Sequence, residues 1–161
     1  MLWRKSMNNI KIEIGYKYID KVKRLIELYM SELDRNLDFQ NIDDEFKYFQ
    51  QKYAEPKGKL LVALNKENHV IGCVAFHPFD KEKCEMKRLF VLPEYRSKKV
   101  GQLLVQHIIE DAQKDGYKEM ILDTIQPLKS AIGLYRKFGF QETRPYYDNP
   151  MHDVIYMKLK L

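Results

Sequence analysis

The sequence is poor in the residues that define several protein classes. It has two cysteines, Cys73 and Cys84, too few for a disulfide framework, which predicts reduced thiols and a cytoplasmic protein. Seven glycines and six prolines exclude collagen-like or linker material. No apolar run approaches the roughly 18 residues that cross a bilayer. The opening residues lack the apolar segment and cleavage site of a secretory signal, so we expect no membrane partner.

The chain does contain enough apolar material for a core. Hydrophobic residues make up 45% of its 161 residues and aromatic residues 12%, which excludes a disordered protein. This length predicts a single domain over residues 1–161. The net charge of +5 suits a polyanionic partner such as a phosphorylated cofactor or a nucleic acid, and equally suits a surface charged only for solubility.

The first third of the chain has helical periodicity. After a short alternating segment at residues 11–14, apolar side chains recur at helical spacing over residues 19–33. A second helix is predicted over residues 42–53, and Pro56 and Gly58 end it. The prediction here is one strand followed by two helices.

The period then changes to that of strands. Residues 60–64, 70–77 and 84–92 are strand-like runs joined by short turns, which predicts an antiparallel meander. A helix ending near Gly116 follows, and its glycine suits a left-handed helix cap.

The last third of the chain alternates strands and helices. The predicted elements are a strand at residues 120–122, a helix at 131–138, and strands at 140–143 and 154–161. A helix between the strands at 84–92 and 120–122 requires those two strands to run parallel if they pair. The fold class is therefore α/β (α+β), a mixed sheet with helices on both faces in the order βααβββαβαββ.

The segment after residue 91 predicts an anion site. A strand there ends in a basic loop with Arg96, Lys98 and Lys99, and the loop opens directly into a helix. The first amides of a helix have no intrahelical acceptor, so they bind phosphate well. Neither a Walker loop nor a dinucleotide fingerprint is present. An ordinary solvated loop and a nucleic-acid-binding cluster are the alternatives. Because the sequence has no exposed aromatic platform near the cluster, we expect no nucleic-acid partner.

Two motifs occur in the second half of the chain. The first is Val91-x-Pro93-x-x-Arg96 with Gly101 in the following loop. The second is the helix end Ala131-x-x-Leu134-Tyr135-x-x-Phe138-Gly139-Phe140. Both motifs resemble those of the GNAT family of N-acetyltransferases. The resemblance implies a mostly antiparallel sheet with splayed fourth and fifth strands, and acetyl-CoA as co-substrate without a metal. The four histidines likewise show no metal-ligand spacing.

The resemblance also implies how acetyl-CoA is held. Backbone groups of Leu89 and Val91 would bind the thioester oxygen and the pantetheine arm. The pyrophosphate would rest on the loop and helix start, formed by Arg96, Ser97, Lys98, Lys99, Val100, Gly101 and Gln102. Lys99 departs from the family pattern, which has glycine there. It either adopts a left-handed conformation at a cost of about 1 to 2 kcal/mol or keeps a helical φ.

The reaction implied is attack of an amine on the acetyl thioester. Tyr135 matches the family tyrosine that is proposed to protonate the departing thiolate, and its alternative is packing with a water-bound hydroxyl. Glu85 matches the catalytic glutamate of some members, and we expect burial to raise its pKa toward the working range. The alternative for Glu85 is a surface ion pair with Lys87 or Arg88.

Two loops, at residues 34–41 and 144–153, would select the acceptor. Asp38, Asp148 and Asn149 would bind a cationic amine, and Tyr146 and Tyr147 would line its apolar wall. Alternatively, Tyr146, Tyr147 and Asp148 would only rigidify their loop. The predicted function is acetyl transfer to a primary amine of a small molecule or peptide by direct attack in a ternary complex. A non-catalytic acyl-CoA sensor is the alternative, and a homodimer is common among such proteins.

Overall fold

The computed structural model describes residues 9–34 and 41–161, which contain a seven-stranded open sheet. Its strands are β1 (Lys11–Ile14), β2 (Lys59–Leu64), β3 (Val70–Pro78), β4 (Lys83–Val91), β5 (Glu119–Ile125), β6 (Gln141–Thr143) and β7 (Val154–Lys160). The helices are α1 (Ile19–Leu33), α2 (Ile42–Lys47), α3 (Phe49–Lys52), α4 (Val100–Lys114) and α5 (Lys129–Lys137). In these ranges no helix has both the length and the apolar composition of a bilayer span.

The sheet has the order β1-β2-β3-β4-β5-β7-β6. Strands β2, β3 and β4 form the predicted antiparallel meander, and β4 pairs with β5 in parallel through the α4 crossover, as predicted. All other neighbours are antiparallel. The mixed, mostly antiparallel sheet that the sequence predicts is therefore confirmed.

One predicted helix is wrong in detail. The single helix expected over residues 42–53 is two short helices, α2 and α3, separated at Tyr48 with φ −114° and ψ 27°. Phe49 and Tyr53 are buried after the break. Because the apolar side chains keep their spacing through the break, periodicity could not reveal it.

Helices cover both faces of the sheet, as predicted. Side chains of α4 pack on one face with Leu61 and Ala63, whereas side chains of α1 and Phe49 pack on the other with Leu60 and Val62. Alternate residues of β2 therefore enter two different cores. Each large apolar side chain buried in this way contributes about 1.5 to 3 kcal/mol.

Strands β4 and β5 separate partway along their length. Their parallel pairing covers only Lys83 to Glu85 on β4 and Glu119 to Ile121 on β5. Both strands continue beyond this point, β4 to Val91 and β5 to Ile125. A cleft opens between the two diverging segments, which agrees with the splay that the sequence resemblance implies.

A β-bulge deforms β4 on the cleft side of that separation. Cys73 pairs with Phe90 and Ala75 with Lys87, so β4 carries an extra residue between these two pairs. Within the bulge Arg88 has φ 65°, a left-handed conformation that costs a side chain other than glycine about 1 to 2 kcal/mol. Some other interaction must therefore hold Arg88 in place.

That interaction is a buried ion pair with Glu45 of α2. The Arg88 guanidinium donates from Nε to Glu45 Oε2 at 2.8 Å and from Nη2 to Oε1 at 2.9 Å, a bidentate geometry. The Tyr53 hydroxyl and the Lys52 ammonium also donate to Glu45. Burial alone would raise the Glu45 pKa, but the bonds and charges of Arg88 and Lys52 lower it to about 2.

We predict that Glu45→Gln destabilises the protein by about 3 kcal/mol, because it leaves a buried guanidinium without its counter-charge. Since the folded pKa of Glu45 lies below its ordinary 4.5, this stabilisation is present above about pH 4.5. It is lost as the pH falls toward 2. Urea unfolding of wild type and variant at several pH values measures the difference and its decline.

The control is Glu142→Gln, which removes an exposed pair with Arg136 at 3.7 Å and should cost at most about 1 kcal/mol. Equal losses of unfolding free energy in the two variants would contradict a structural role for the buried pair.

Candidate active site

The cleft between the diverging strands has a volume of about 690 Å³, which is large enough for a small organic ligand. Residues 86–91 of β4 line one side and residues 122–125 of β5 line the other. The start of α4 and residues of α5 form one end. Tyr29 of α1 also lines the cleft, and its ring lies 5.3 Å from that of Phe90 on β4.

Helix α4 presents free backbone amides to this cleft. The Leu103 N–H donates to the Lys99 carbonyl at 3.1 Å and makes the first bond of the helix, so the amides of Val100, Gly101 and Gln102 precede any intrahelical acceptor. Lys99 caps the helix with φ 62°, so the left-handed alternative is correct and the helical one is wrong. Together with the helix dipole, this end can bind an anion.

Most of the expected loop and strand residues lie on the cleft wall, namely Leu89, Val91, Arg96, Ser97, Lys99, Gly101 and Gln102. Lys98 and Val100 do not. The Lys98 ammonium lies 5.5 Å from the Tyr95 ring centroid, and the Val100 side chain is fully buried in the core. Neither residue lines the cleft, so Lys99, Gly101 and Gln102 are the residues of this segment that face a ligand there.

Arg96 is already engaged in this structure. Its Nε donates to the Val91 carbonyl at 2.9 Å and its Nη2 donates to Glu32 Oε2 of α1 at 2.8 Å. The guanidinium thus joins the loop to α1 across the cleft mouth, and its charge is shared with a carboxylate. Lys99 and Lys129 are the other basic side chains at this end of the cleft.

Tyr135 of α5 lies on the cleft wall with 7% of its surface exposed. Its ring packs edge-on against Phe140 at 5.7 Å. No hydrogen bond to its hydroxyl is made by residues 9–34 or 41–161, and burial raises its pKa above the ordinary value. The hydroxyl is therefore a protonated group with a hydrogen bond still to give.

Glu85 differs from the expectation. It is absent from the cleft wall, and its carboxylate bonds instead to His77 Nε2 at 2.8 Å and the Tyr146 hydroxyl at 2.5 Å. Burial would raise its pKa, but the His77 bond, the Lys87 charge and the Tyr146 bond together lower it to about 2. The predicted raised pKa is wrong because these donors stabilise the carboxylate. The alternative, a surface ion pair with Lys87 or Arg88, is not formed either, since Glu85 binds His77 and Tyr146 whereas Arg88 binds Glu45.

The predicted acceptor loops are placed in part. Asp38 lies outside the described residues. Tyr147 donates its hydroxyl to Asp123 of β5, and Asp148 is exposed. Because the hydroxyls of Tyr146 and Tyr147 both bind carboxylates of the sheet, these side chains fix residues 144–153 against β4 and β5.

Asp123 is a cleft residue that the sequence reasoning did not select. It directly follows the apolar run at residues 120–122, and a carboxylate that interrupts a buried strand is a signal that could have found it.

Both cysteines are buried, and burial raises the pKa of the Cys84 thiol to about 12. A thiol of this kind is a poor nucleophile at neutral pH. In the described residues no three His, Cys, Asp or Glu side chains are grouped to hold a metal ion.

The comparisons with known proteins agree on one family. The sequence model of the acetyltransferase (GNAT) family matches residues 22–140. An uncharacterized N-acetyltransferase from Schizosaccharomyces pombe is 46% identical over 144 residues, which cover 89% of this chain and 88% of that protein. An acetyltransferase of the GNAT family from Staphylococcus aureus has the same fold, with a TM-score of 0.80, 20% identity, and coverage of 94% of this chain and 98% of its own.

A second solved structure is a GNAT family acetyltransferase from Elizabethkingia anophelis with acetyl-CoA bound. Its TM-score is 0.60 at 22% identity, and the match covers 96% of this chain and 99% of that one. The family model covers well over half of the sequence, and the match to the Schizosaccharomyces pombe protein covers most of both chains. The chain belongs to the GNAT family of acetyltransferases.

Proposed function

We propose that the protein transfers the acetyl group of acetyl-CoA to a primary amine of a small molecule or peptide, by direct attack in a ternary complex. The observation that carries this proposal is the cleft between β4 and β5, which joins the free amides of α4 to the Tyr135 hydroxyl. The acetyl-CoA bound in a protein of the same fold supports the identity of the co-substrate.

The residues of the cleft fit the chemistry of acetyl-CoA. In the proposed complex the pyrophosphate accepts hydrogen bonds from the amides of residues 100–102, and Lys99 supplies positive charge beside it. The exposed edge of β4 at Leu89 and Val91 offers backbone groups to the pantetheine amides and the thioester oxygen. Because these contacts come from the main chain, they tolerate the Lys99 departure from the family pattern.

In the proposed reaction Tyr135 protonates the departing thiolate. The amine nitrogen attacks the thioester carbon, the carbon–sulfur bond breaks, and the sulfur takes the Tyr135 proton, which solvent then replaces. The raised pKa of Tyr135 keeps the hydroxyl protonated at neutral pH. Glu85 is unsuited to be the general base, because its pKa of about 2 makes it a weak proton acceptor and its side chain does not line the cleft.

Two measurements test the proposed function. Calorimetry with acetyl-CoA should show binding, and release of free CoA should require both acetyl-CoA and an amine. Binding without CoA release for any amine in a broad panel would instead indicate an acyl-CoA sensor. No binding at all would contradict the proposal.

We predict that Tyr135→Phe lowers kcat by about 100-fold and leaves acetyl-CoA affinity within about twofold, because the variant keeps the ring and loses only the proton donor. Stopped-flow acetyl transfer together with calorimetry measures the two effects separately. Tyr95→Phe is the matched control, since that hydroxyl accepts a hydrogen bond from Asn65 outside the cleft. An unchanged kcat for Tyr135→Phe would remove Tyr135 from the chemistry.

We predict that Lys99→Gly and Lys99→Asn both weaken acetyl-CoA binding by about 3- to 10-fold through the loss of one charge near the pyrophosphate. Both residues tolerate a left-handed φ, so neither variant should be less stable than wild type by more than about 1 kcal/mol. Calorimetry and thermal unfolding distinguish the two quantities. Wild-type affinity in both variants would show that the backbone alone binds the phosphates.

A further inference from the structure

The acidic side chains of the cleft differ in whether their charge is neutralised. Glu32 and Asp123 both line the cleft, and Glu32 is paired with Arg96 at 2.8 Å. Within residues 9–34 and 41–161 no Lys, Arg or His lies within salt-bridge distance of Asp123. Two basic side chains of β4 line the cleft, Lys87 and Arg88, and Arg88 is bound bidentately by Glu45. Asp123 thus presents to the cleft a carboxylate that forms no ion pair with residues 9–34 or 41–161.

Asp123 is also held in a fixed orientation. The Tyr147 hydroxyl donates to the Oδ2 atom of Asp123, and the Asn149 side-chain amide donates to the same Tyr147 hydroxyl oxygen at 2.6 Å. The Tyr156 hydroxyl donates to the Tyr147 carbonyl at 3.2 Å, which fixes the loop against β7. In the described part of the chain the second oxygen, Oδ1, accepts no hydrogen bond. One oxygen is thus anchored and the other is available to a ligand.

Asp123 lines the same cleft as Tyr135, the proposed proton donor. It lies on β5 two residues beyond the last pair with β4, where the cleft begins. Asp123 shares the cleft wall with Tyr29 and Tyr135. Burial raises the pKa of both tyrosines, and the Asp123 charge adds to that rise. The basic side chains that suit the phosphates, Lys99 and Lys129, belong to the α4 and α5 end instead.

Three tyrosine rings pack together beside the Asp123 carboxylate. The rings of Tyr146, Tyr147 and Tyr156 pack against one another with centroids 5.3 to 5.6 Å apart, and Tyr156 pairs with Asp123 across β5 and β7. None of these three rings lines the cleft, so they pack beside the carboxylate and do not themselves contact a ligand there. The Asp123 carboxylate attracts a cationic acceptor and repels an anion or a carboxylate-bearing acceptor.

We propose that Asp123 binds the ammonium group of the acceptor, and that the acceptor class is therefore an aliphatic primary amine, which is cationic at neutral pH. This inference rests on the proposed function and deepens it. The amine binds as R–NH₃⁺ against Oδ1 and releases one proton to solvent. The lone pair of the amine nitrogen then attacks the thioester carbon. The second proton of the amine passes to solvent as the amide and the CoA thiol form. Asp123 is a binding residue in this reaction and takes no part in the proton transfers.

The experiment uses Asp123→Asn, which keeps the size and the hydrogen bond from Tyr147 but removes the charge. Benzylamine and n-hexylamine are cationic at neutral pH, whereas aniline is a neutral amine of similar shape to benzylamine. We expect the variant to lower kcat/KM for the two alkylamines by about 10- to 100-fold, the effect of losing one charge-assisted hydrogen bond. For aniline the change should stay within about threefold.

The matched control is Glu119→Gln, which removes a carboxylate from the same strand outside the cleft and should leave kcat/KM unchanged for every amine. A melting shift with acetyl-CoA, compared with wild type, verifies that Asp123→Asn is folded and binds the co-substrate.

An equal loss for alkylamines and aniline, or no loss for either, would overturn the role of Asp123. Use of aniline but of no alkylamine by the wild-type protein would also overturn it. Failure of the proposed function itself has a different outcome, because wild type would then show neither an acetyl-CoA melting shift nor CoA release with any amine.

Discussion

The departure of β4 from β5 after Glu85 is the feature on which the rest of the site depends. A parallel pair that stops while both strands continue leaves two facing backbone edges without sheet partners, and such edges bind an extended ligand readily. The bulge at Arg88 opposes re-pairing, since it displaces β4 from the regular register. The bidentate bond from Glu45 holds that bulge, so a helix on one face of the sheet stabilises the shape of a cleft within it.

Charge is distributed unevenly along the cleft. The α4 end has amides without an intrahelical acceptor, a helix dipole and Lys99. The β5 wall has Asp123, which forms no ion pair within the described residues. The two arginines on the wall are neutralised by carboxylates of α1 and α2, so they add little net charge. The site can therefore accept a polyanion at one end and a cation at the other, which is the combination that a CoA thioester and an alkylammonium acceptor present.

Local patterns predicted most of the fold. Period-two runs and short turns fixed the β2–β4 meander, and the intervening helix required parallel β4 and β5. The helix break at Tyr48, the left-handed Arg88 and the low pKa of Glu85 were missed. The last two depend on contacts between residues distant in sequence. Arg88 meets Glu45 43 positions away, and Tyr146 meets Glu85 61 positions away. Periodicity and motif spacing carry no information about such pairs.

The most direct test is a crystal structure with CoA bound. The account predicts a diphosphate on the amides of residues 100–102, a pantetheine arm along the free edge of β4 between Leu89 and Val91, and a sulfur within hydrogen-bonding reach of the Tyr135 hydroxyl. A CoA molecule bound elsewhere, or β4 and β5 paired along their full length with the cleft closed, would contradict it.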